Sequence, residues 1–224
     1  MSKGDQTREA VLREALAQSS HVGLKGITIG GLAESTGLSK SGLFGHFRSK
    51  EQLQLDVLEF AAEHIARLVV RPALKEPRGE ARMRALFERW LGWDGYADYA
   101  LPGGCIFLAA STEFDDEPDS PVRDALVRQQ QDMIASIETI FRTGVAVGDF
   151  RPDADAHQFA NDFNAIMHGY AFSARLLKDP NADAMARRAF ERLLSDVRVQ
   201  RLPGADSRRH DGASRRTQHD PAAV

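Results

Sequence analysis

The chain has 224 residues, 42% of them hydrophobic and 27% charged, ordinary values for a globular protein and enough for one large domain or two small ones. No apolar run approaches the ~20 residues of a membrane-spanning helix, the opening "MSKGDQTREAVLREAL" lacks the apolar stretch of a secretory signal, and the single cysteine, Cys105, excludes an intrachain disulfide. The sequence therefore predicts a cytoplasmic protein with no membrane partner. The formal net charge of −3 taken alone argues against nucleic acid, but residues 1–50 carry seven Lys/Arg against four Asp/Glu while residues 51–200 carry seventeen against twenty-five. A basic head on an acidic body suits a protein with one anionic partner at one end.

Apolar residues recur at spacings of three and four through most of the chain, the signature of amphipathic helices. Val11, Leu12, Ala15 and Leu16 make the first stripe; Ile29, Leu32 and Ala33 a short second; Leu43 and Phe47 a short third. The fourth runs from Leu53 through Val57, Ala61 and Ile65 to Leu68, with Pro72 as its stop. Met83 to Leu91 form the fifth. Cys105 opens a sixth, Val122 to Phe141 form the seventh, Phe159 to Tyr170 the eighth and Phe190 to Val197 the ninth. Pro- and Gly-containing segments separate them. No segment alternates with period two, so no sheet is expected. The predicted fold is all-α, with about nine helices divided between residues 1–50 and residues 51–200, followed by a polar tail with few apolar residues, residues 201–224, expected to be disordered.

The segment "GLSKSGLFGHFRSKEQL", Gly37 to Leu53, concentrates small and basic residues. Thr28, Ser39 and Ser49 each stand where an N-cap hydroxyl satisfies a free amide of the next turn, and Gln52 completes a capping box with Ser49. Gly37 supplies a left-handed exit between two short helices. Such a pair is a helix-turn-helix, whose second helix enters the DNA major groove. On that helix Leu43 and Phe47 anchor it, while Ser39, Lys40, Ser41, Gly42, Gly45 and His46 fall on the open side. Small residues there admit a close approach, and Lys40 and the hydroxyls suit phosphates or base edges. No G-x-x-x-x-G-K-S/T loop is present, and a structural helical hairpin is the competing account of the same spacing.

The stretch "TIGGLAESTGLSKSGLFGHFRSKEQL", Thr28 to Leu53, closely resembles the DNA-binding domain of the tetracycline-repressor (TetR) family of one-component bacterial regulators. The resemblance covers residues 8–55, about a quarter of the chain. It implies a homodimer that binds palindromic operator double-stranded DNA, with a helical C-terminal domain holding the dimer interface and an inducer pocket, and repression relieved by a small molecule. Thr28, Lys40, His46 and Lys50 match positions that commonly touch the DNA backbone. Phe44 stands where the family often has tyrosine, and Gly42 and Gly45 replace residues that often read bases, so direct readout is expected to be thin.

Beyond the head, aromatic and soft apolar residues are more numerous than one thin bundle needs. Phe87, Trp90, Leu91, Phe107, Met133, Ile137, Phe141, Phe163 and Met167 are candidates to line a pocket for an apolar or aromatic ligand among helices four to eight, with Ser111 and His168 as polar anchors. Core packing is the competing account for each. Helices eight (about residues 154–177) and nine (about residues 183–199) combine apolar faces with Ala160, Ala165, Gly169 and Ala189, and are expected to form the dimer interface. Seven scattered histidines and no H-E-x-x-H or Cys/His cluster predict no metal, no cofactor and no catalysis. A redox sensor acting through Cys105, whose thiol a helix N-terminus would acidify, and a helical protein-interaction module without a DNA role are the alternatives.

Overall fold

A computed structural model of the chain describes residues 3–95 and 97–199; the expected disordered tail lies outside them. Nine helices follow one another among the described residues: α1 (Lys3–Val22), α2 (Ile29–Thr36), α3 (Lys40–His46), α4 (Lys50–Ile65), α5 (Glu80–Asp94), α6 (Ile106–Glu113), α7 (Pro121–Ala146), α8 (Ala156–Ala171) and α9 (Ala182–Val197). α4 continues through a π turn (Ala66–Val70) into a closing turn (Arg71–Ala73), and α8 through a π turn (Phe172–Leu176). Among the described residues the one β pairing is an isolated antiparallel bridge between Phe150 and Arg198. No helix of the described residues is long and apolar enough to cross a membrane.

Short helices are marginal by themselves, so α2 and α3 depend on caps and burial. The Thr28, Ser39 and Ser49 hydroxyls accept from the amides of Gly31, Gly42 and Gln52 at 3.0, 3.1 and 3.0 Å. Gly37 adopts φ +68° at the end of α2, a conformation costly for any residue with a Cβ. Leu16, Leu32, Leu43, Phe47, Leu53 and Val57 are buried and join the first four helices. Arg8 lies 5.4 Å from the Phe47 ring centroid and pairs with the nearly buried Asp56 at 2.6 Å.

Two expectations for α4 are corrected. Only half of the capping box forms: the Gln52 amide donates to Ser49 Oγ at 3.0 Å, while the Gln52 carboxamide extends along the helix, its Nε2 donating to Asp56 Oδ1 at 3.1 Å, a charge-assisted bond. Pro72 does not end the helix at its predicted place. A proline strands the carbonyl four residues earlier, here Leu68, and Arg89 Nη1 donates to that oxygen at 2.9 Å. The π turn, with the Arg71 amide donating to the Ala66 carbonyl, carries the helix on to Ala73.

α8 packs between α7 and α9. Phe87 stacks on Phe190 with centroids 4.0 Å apart, and Phe163 meets both edge-on. Phe141 packs on Phe150 and Phe159 at 4.9 and 4.5 Å. Around the first cluster, ion pairs tie α5 to the end of α9. Arg198 grips Glu80 through two bonds of 2.6 Å, and Arg84 bridges Glu80 and Glu191.

Arg198 holds the Glu80 carboxyl below the usual carboxylate range. A depressed carboxyl contributes stability above its unfolded pKa and loses it as pH falls through the folded value. These side chains are a quarter to a half exposed, so screening limits the contribution to about 1 kcal/mol. Glu80→Gln should lower the melting temperature by roughly 2–4 °C at neutral pH, and the difference should vanish in acid. Melting curves of both proteins across that range check it.

Candidate functional site

The head presents α3 with its anchors inward: Leu43 and Phe47 are fully buried, while Lys40, Ser41, Gly42, Phe44 and Gly45 are exposed and His46 is half-buried. Thr28, Ser39 and Lys50 are also exposed. A Cβ at Gly45 would meet nothing within 4 Å, so the free protein's packing does not require glycine there. The Ser39 and Thr28 hydroxyls are engaged as caps, and Ser41 Oγ lies 3.2 Å from Ser39 Oγ. Lys50 Nζ donates to the Lys25 carbonyl at 2.5 Å. Lys25 in turn is held by the body: its amide donates to Glu113 at 2.8 Å, its ammonium pairs with Glu117 at 2.6 Å and lies 4.8 Å from the Phe114 ring centroid. Nearby, the Gly103 amide donates to Ser20 Oγ at 2.8 Å, and a Cβ on Gly103 would sit 1.8 Å from the Ser20 carbonyl oxygen.

A cavity of about 200 Å³ opens in the body. α4 and its π turn supply Ala62, Ile65, Ala66 and Val70. α5 supplies Trp90 and Asp94, and Cys105, Phe107 and Leu108 come from the start of α6. α7 supplies Gln129, Gln130, Asp132, Met133 and Ser136, and α8 supplies His168. The wall holds two carboxyl groups and no lysine or arginine. Asp94 is 3% exposed and its Oδ1 has no hydrogen-bond partner; the same is true of the buried Gln129 Oε1. Burial pushes the Asp94 carboxyl up to about 7, against the opposing pull of Arg175 and of a hydrogen bond from Trp90. Desolvation lowers the His168 pKa, which favours the neutral imidazole.

Of the residues expected from sequence to line a pocket, the structure brings Trp90, Phe107, Met133 and His168 to this cavity. The others lie elsewhere. Phe87 and Phe163 are consumed by their contacts with Phe190, and Phe141 by Phe150 and Phe159. Leu91, Ile137 and Met167 are buried in the core. Ser111 is exposed and donates to the Leu108 carbonyl. Sequence reasoning missed Asp94, Gln129, Asp132 and Ser136. The signal was present: Gln129, Asp132, Met133 and Ser136 recur at helical spacing on α7, and Asp94 lies one turn beyond Trp90 on α5.

Cys105 caps α6 without a side-chain bond, and here the expectation of an acidified thiol is reversed. Burial, reinforced by the charge of Asp94, pushes the thiol up to about 12, so it is almost wholly protonated at neutral pH, whereas the thiolate is the reactive form. Iodoacetamide at about pH 8 should label native protein at least tenfold more slowly than denatured protein, where the thiol regains a pKa of about 8.5. Mass spectrometry of timed quenches checks this; rapid stoichiometric labelling of the native chain would contradict it.

Comparison with known proteins matches both parts of the chain. Residues 11–57 match the model of bacterial regulatory proteins of the tetR family, and residues 79–190 that of the tetracyclin repressor-like C-terminal domain. None of the curated proteins matches in sequence. Among solved structures, a TetR-family transcriptional regulator from Cytophaga hutchinsonii is 23% identical, with a TM-score of 0.79 over 90% of this chain and 99% of that one. A TetR transcriptional regulator from Chloroflexus aurantiacus is 29% identical, with a TM-score of 0.76 over 89% and 100%. A transcriptional regulator from Saccharomonospora viridis, solved in complex with choline, is 21% identical with a TM-score of 0.72 over 88% and 100%. With a helix-turn-helix head, a cavity-bearing helical body and both family domains in sequence order, the chain belongs to the TetR family and is a ligand-responsive, DNA-binding transcriptional regulator.

Proposed function

We propose that the protein is a repressor that binds palindromic operator DNA as a homodimer and leaves it when a small molecule fills the cavity. Residues 1–50 are the DNA-binding head and residues 51–200 the ligand-binding and dimerisation domain. One observation carries the reading: α4 starts beside α3 at the Ser49 cap, and its far end, Ala62 to Val70, walls the cavity. A ligand shifts DNA affinity only through its differential binding to two conformations, and a helix shared by both sites supplies that difference. α6 offers a second connection, since its start lines the cavity and Glu113 at its end holds the Lys25 amide.

Lys40, Lys50 and Thr28 serve the DNA backbone, with Ser39, Ser41 and His46 beside them. Gly42 and Gly45 let the backbone of α3 come close, and Phe44, 52% exposed, offers an apolar contact. Lys50 must then exchange the Lys25 carbonyl for a phosphate. In gel-shift titrations with DNA from upstream of its own gene, Lys40→Ala and Lys50→Ala should weaken binding to all sequences alike. Each should flatten the plot of log affinity against log salt by about 0.9 per lost phosphate contact. Unchanged affinity and slope for a stably folded Lys50→Ala protein would remove that residue from the interface.

The dimer is assigned to α8 and α9. Phe172, Leu176, Leu177 and Met185 are 53%, 69%, 59% and 42% exposed, and a Cβ at Gly169 would meet nothing within 4 Å. An isologous pairing of these faces buries them, and such permanent interfaces are large and apolar. Light scattering at micromolar concentration should return twice the chain mass of 24.7 kDa, and Leu176→Glu should shift the mass toward a single chain. A wild-type value of one chain mass would overturn the assignment.

A further inference from the structure

Asp94 is a buried carboxyl only half engaged, with a hydrogen bond supplied by Trp90. It stands in the last turn of α5, faces the cavity, and its Oδ1 has no hydrogen bond. A buried carboxyl oxygen without a hydrogen bond is costly to keep, and its position on a cavity wall leaves room for a partner from outside the chain.

The groups that face it set the sign of that partner. α7 brings to the same cavity the solvent-exposed Asp132 and the unpartnered Gln129 oxygen; the start of α6 brings the protonated Cys105 thiol, and α8 His168, which desolvation favours as neutral. The four residues that α4 and its π turn bring to the wall, Ala62, Ile65, Ala66 and Val70, carry no titratable side chain. Arg175, in the π turn after α8, acts on Asp94 through space, but its Nη2 donates to the Pro102 carbonyl at 3.4 Å, and no ion pair joins it to Asp94 among the described contacts. An anion would therefore meet two carboxyls and no compensating lysine or arginine. A wholly apolar ligand would leave Oδ1 as it is.

We infer that the cavity takes a small lipophilic cation, a protonated arylalkyl amine whose N–H donates to Asp94 Oδ1 while its ring lies among Trp90, Phe107 and Met133. This rests on the reading of the cavity as the inducer site. A charge-assisted bond is about twice as strong as a neutral one, and ammonium groups are attracted to aromatic rings. The volume, about 200 Å³, exceeds the ~150 Å³ that admits benzene, which suits one ring with a short amine arm. Because burial holds the free carboxyl near about 7, a cation arriving below that pH displaces a proton. Affinity for the cation should rise with pH until the carboxyl is already ionised, then level off.

The test uses the full-length protein and three probes of nearly one shape: N-methylbenzylammonium, the neutral benzyl methyl ether and the anionic phenylacetate, each titrated by calorimetry. The expected result is at least tenfold tighter binding of the ammonium than of the ether, and no binding of phenylacetate. Asp94→Asn, which keeps the side chain's shape, should erase the preference, and Ser136→Trp, which fills the cavity, should abolish binding of both. Ammonium affinity should also rise between about pH 6 and pH 8, with proton release seen as buffer-dependent heats, and ether affinity should not; this readout needs no variant. Equal or tighter binding of the ether to the wild type, or an ammonium preference that survives Asp94→Asn, overturns the cation assignment and leaves the cavity's role standing. Ammonium binding that Ser136→Trp does not diminish, or no binding of any probe, overturns both.

Discussion

α4 has to belong to two cores at once. Its first half buries Leu53, Val57 and Leu58 against the head, and its second half buries Ile65 and Val69 against the body. A helix held at both ends by close packing transmits displacement, because interiors at crystal-like density do not absorb it. The rest of the molecule follows from that shared element. α2 and α3 are too short to persist alone and pack on one another and, through α2, on α1, which packs in turn on α4, with Leu43 and Phe47 buried. α5 reaches across through Arg89 to the Leu68 carbonyl, and the cavity lies where the far part of α4 faces α5 to α8.

The head was legible in the sequence because its determinants are local. A hydroxyl three residues before the amide it caps, a glycine in a left-handed turn and two anchors one helical turn apart can all be read without knowing the fold. The exceptions are places where a distant group intervened. Gln52 completes only half of the capping box, its carboxamide drawn along α4 to Asp56, with which Arg8 of α1 pairs. Pro72 failed as a stop because Arg89, a guanidinium twenty-one residues from Leu68 in sequence, took the stranded carbonyl.

The body was legible as helices and much less so as a site. Periodicity says that Phe87, Phe141 and Phe163 face inward, but inward means core or cavity alike, and which of the two depends on whether Phe190, Phe150 and Phe159 fill the space beside them. The cavity's character comes instead from polar residues on otherwise apolar faces. A carboxyl on the inward side of α5 cannot be explained by solvation, and an acceptor left unmatched in a native interior calls for an account of its own. The same desolvation holds the half-buried Cys105 thiol in its protonated form, since a position at a helix start acidifies a thiol only where its anion can be solvated.

The contact between Gly103 and Ser20 constrains how the head can turn on the body. There the loop before α6 touches the end of α1 so closely that no side chain fits between them, so at this one point head and body meet backbone to backbone. For a head that tilts, such a point would be the fulcrum. α4 from Lys50 to Val70 is an arm of about 30 Å at 1.5 Å per residue, and a tilt of about 4° swings its end by about 2 Å. That travel exceeds the tolerance of a hydrogen bond, and two heads turning on a common two-fold axis would double the change in their separation. A residue larger than glycine at position 103 would therefore reset the resting angle of the arm as well as strain the loop.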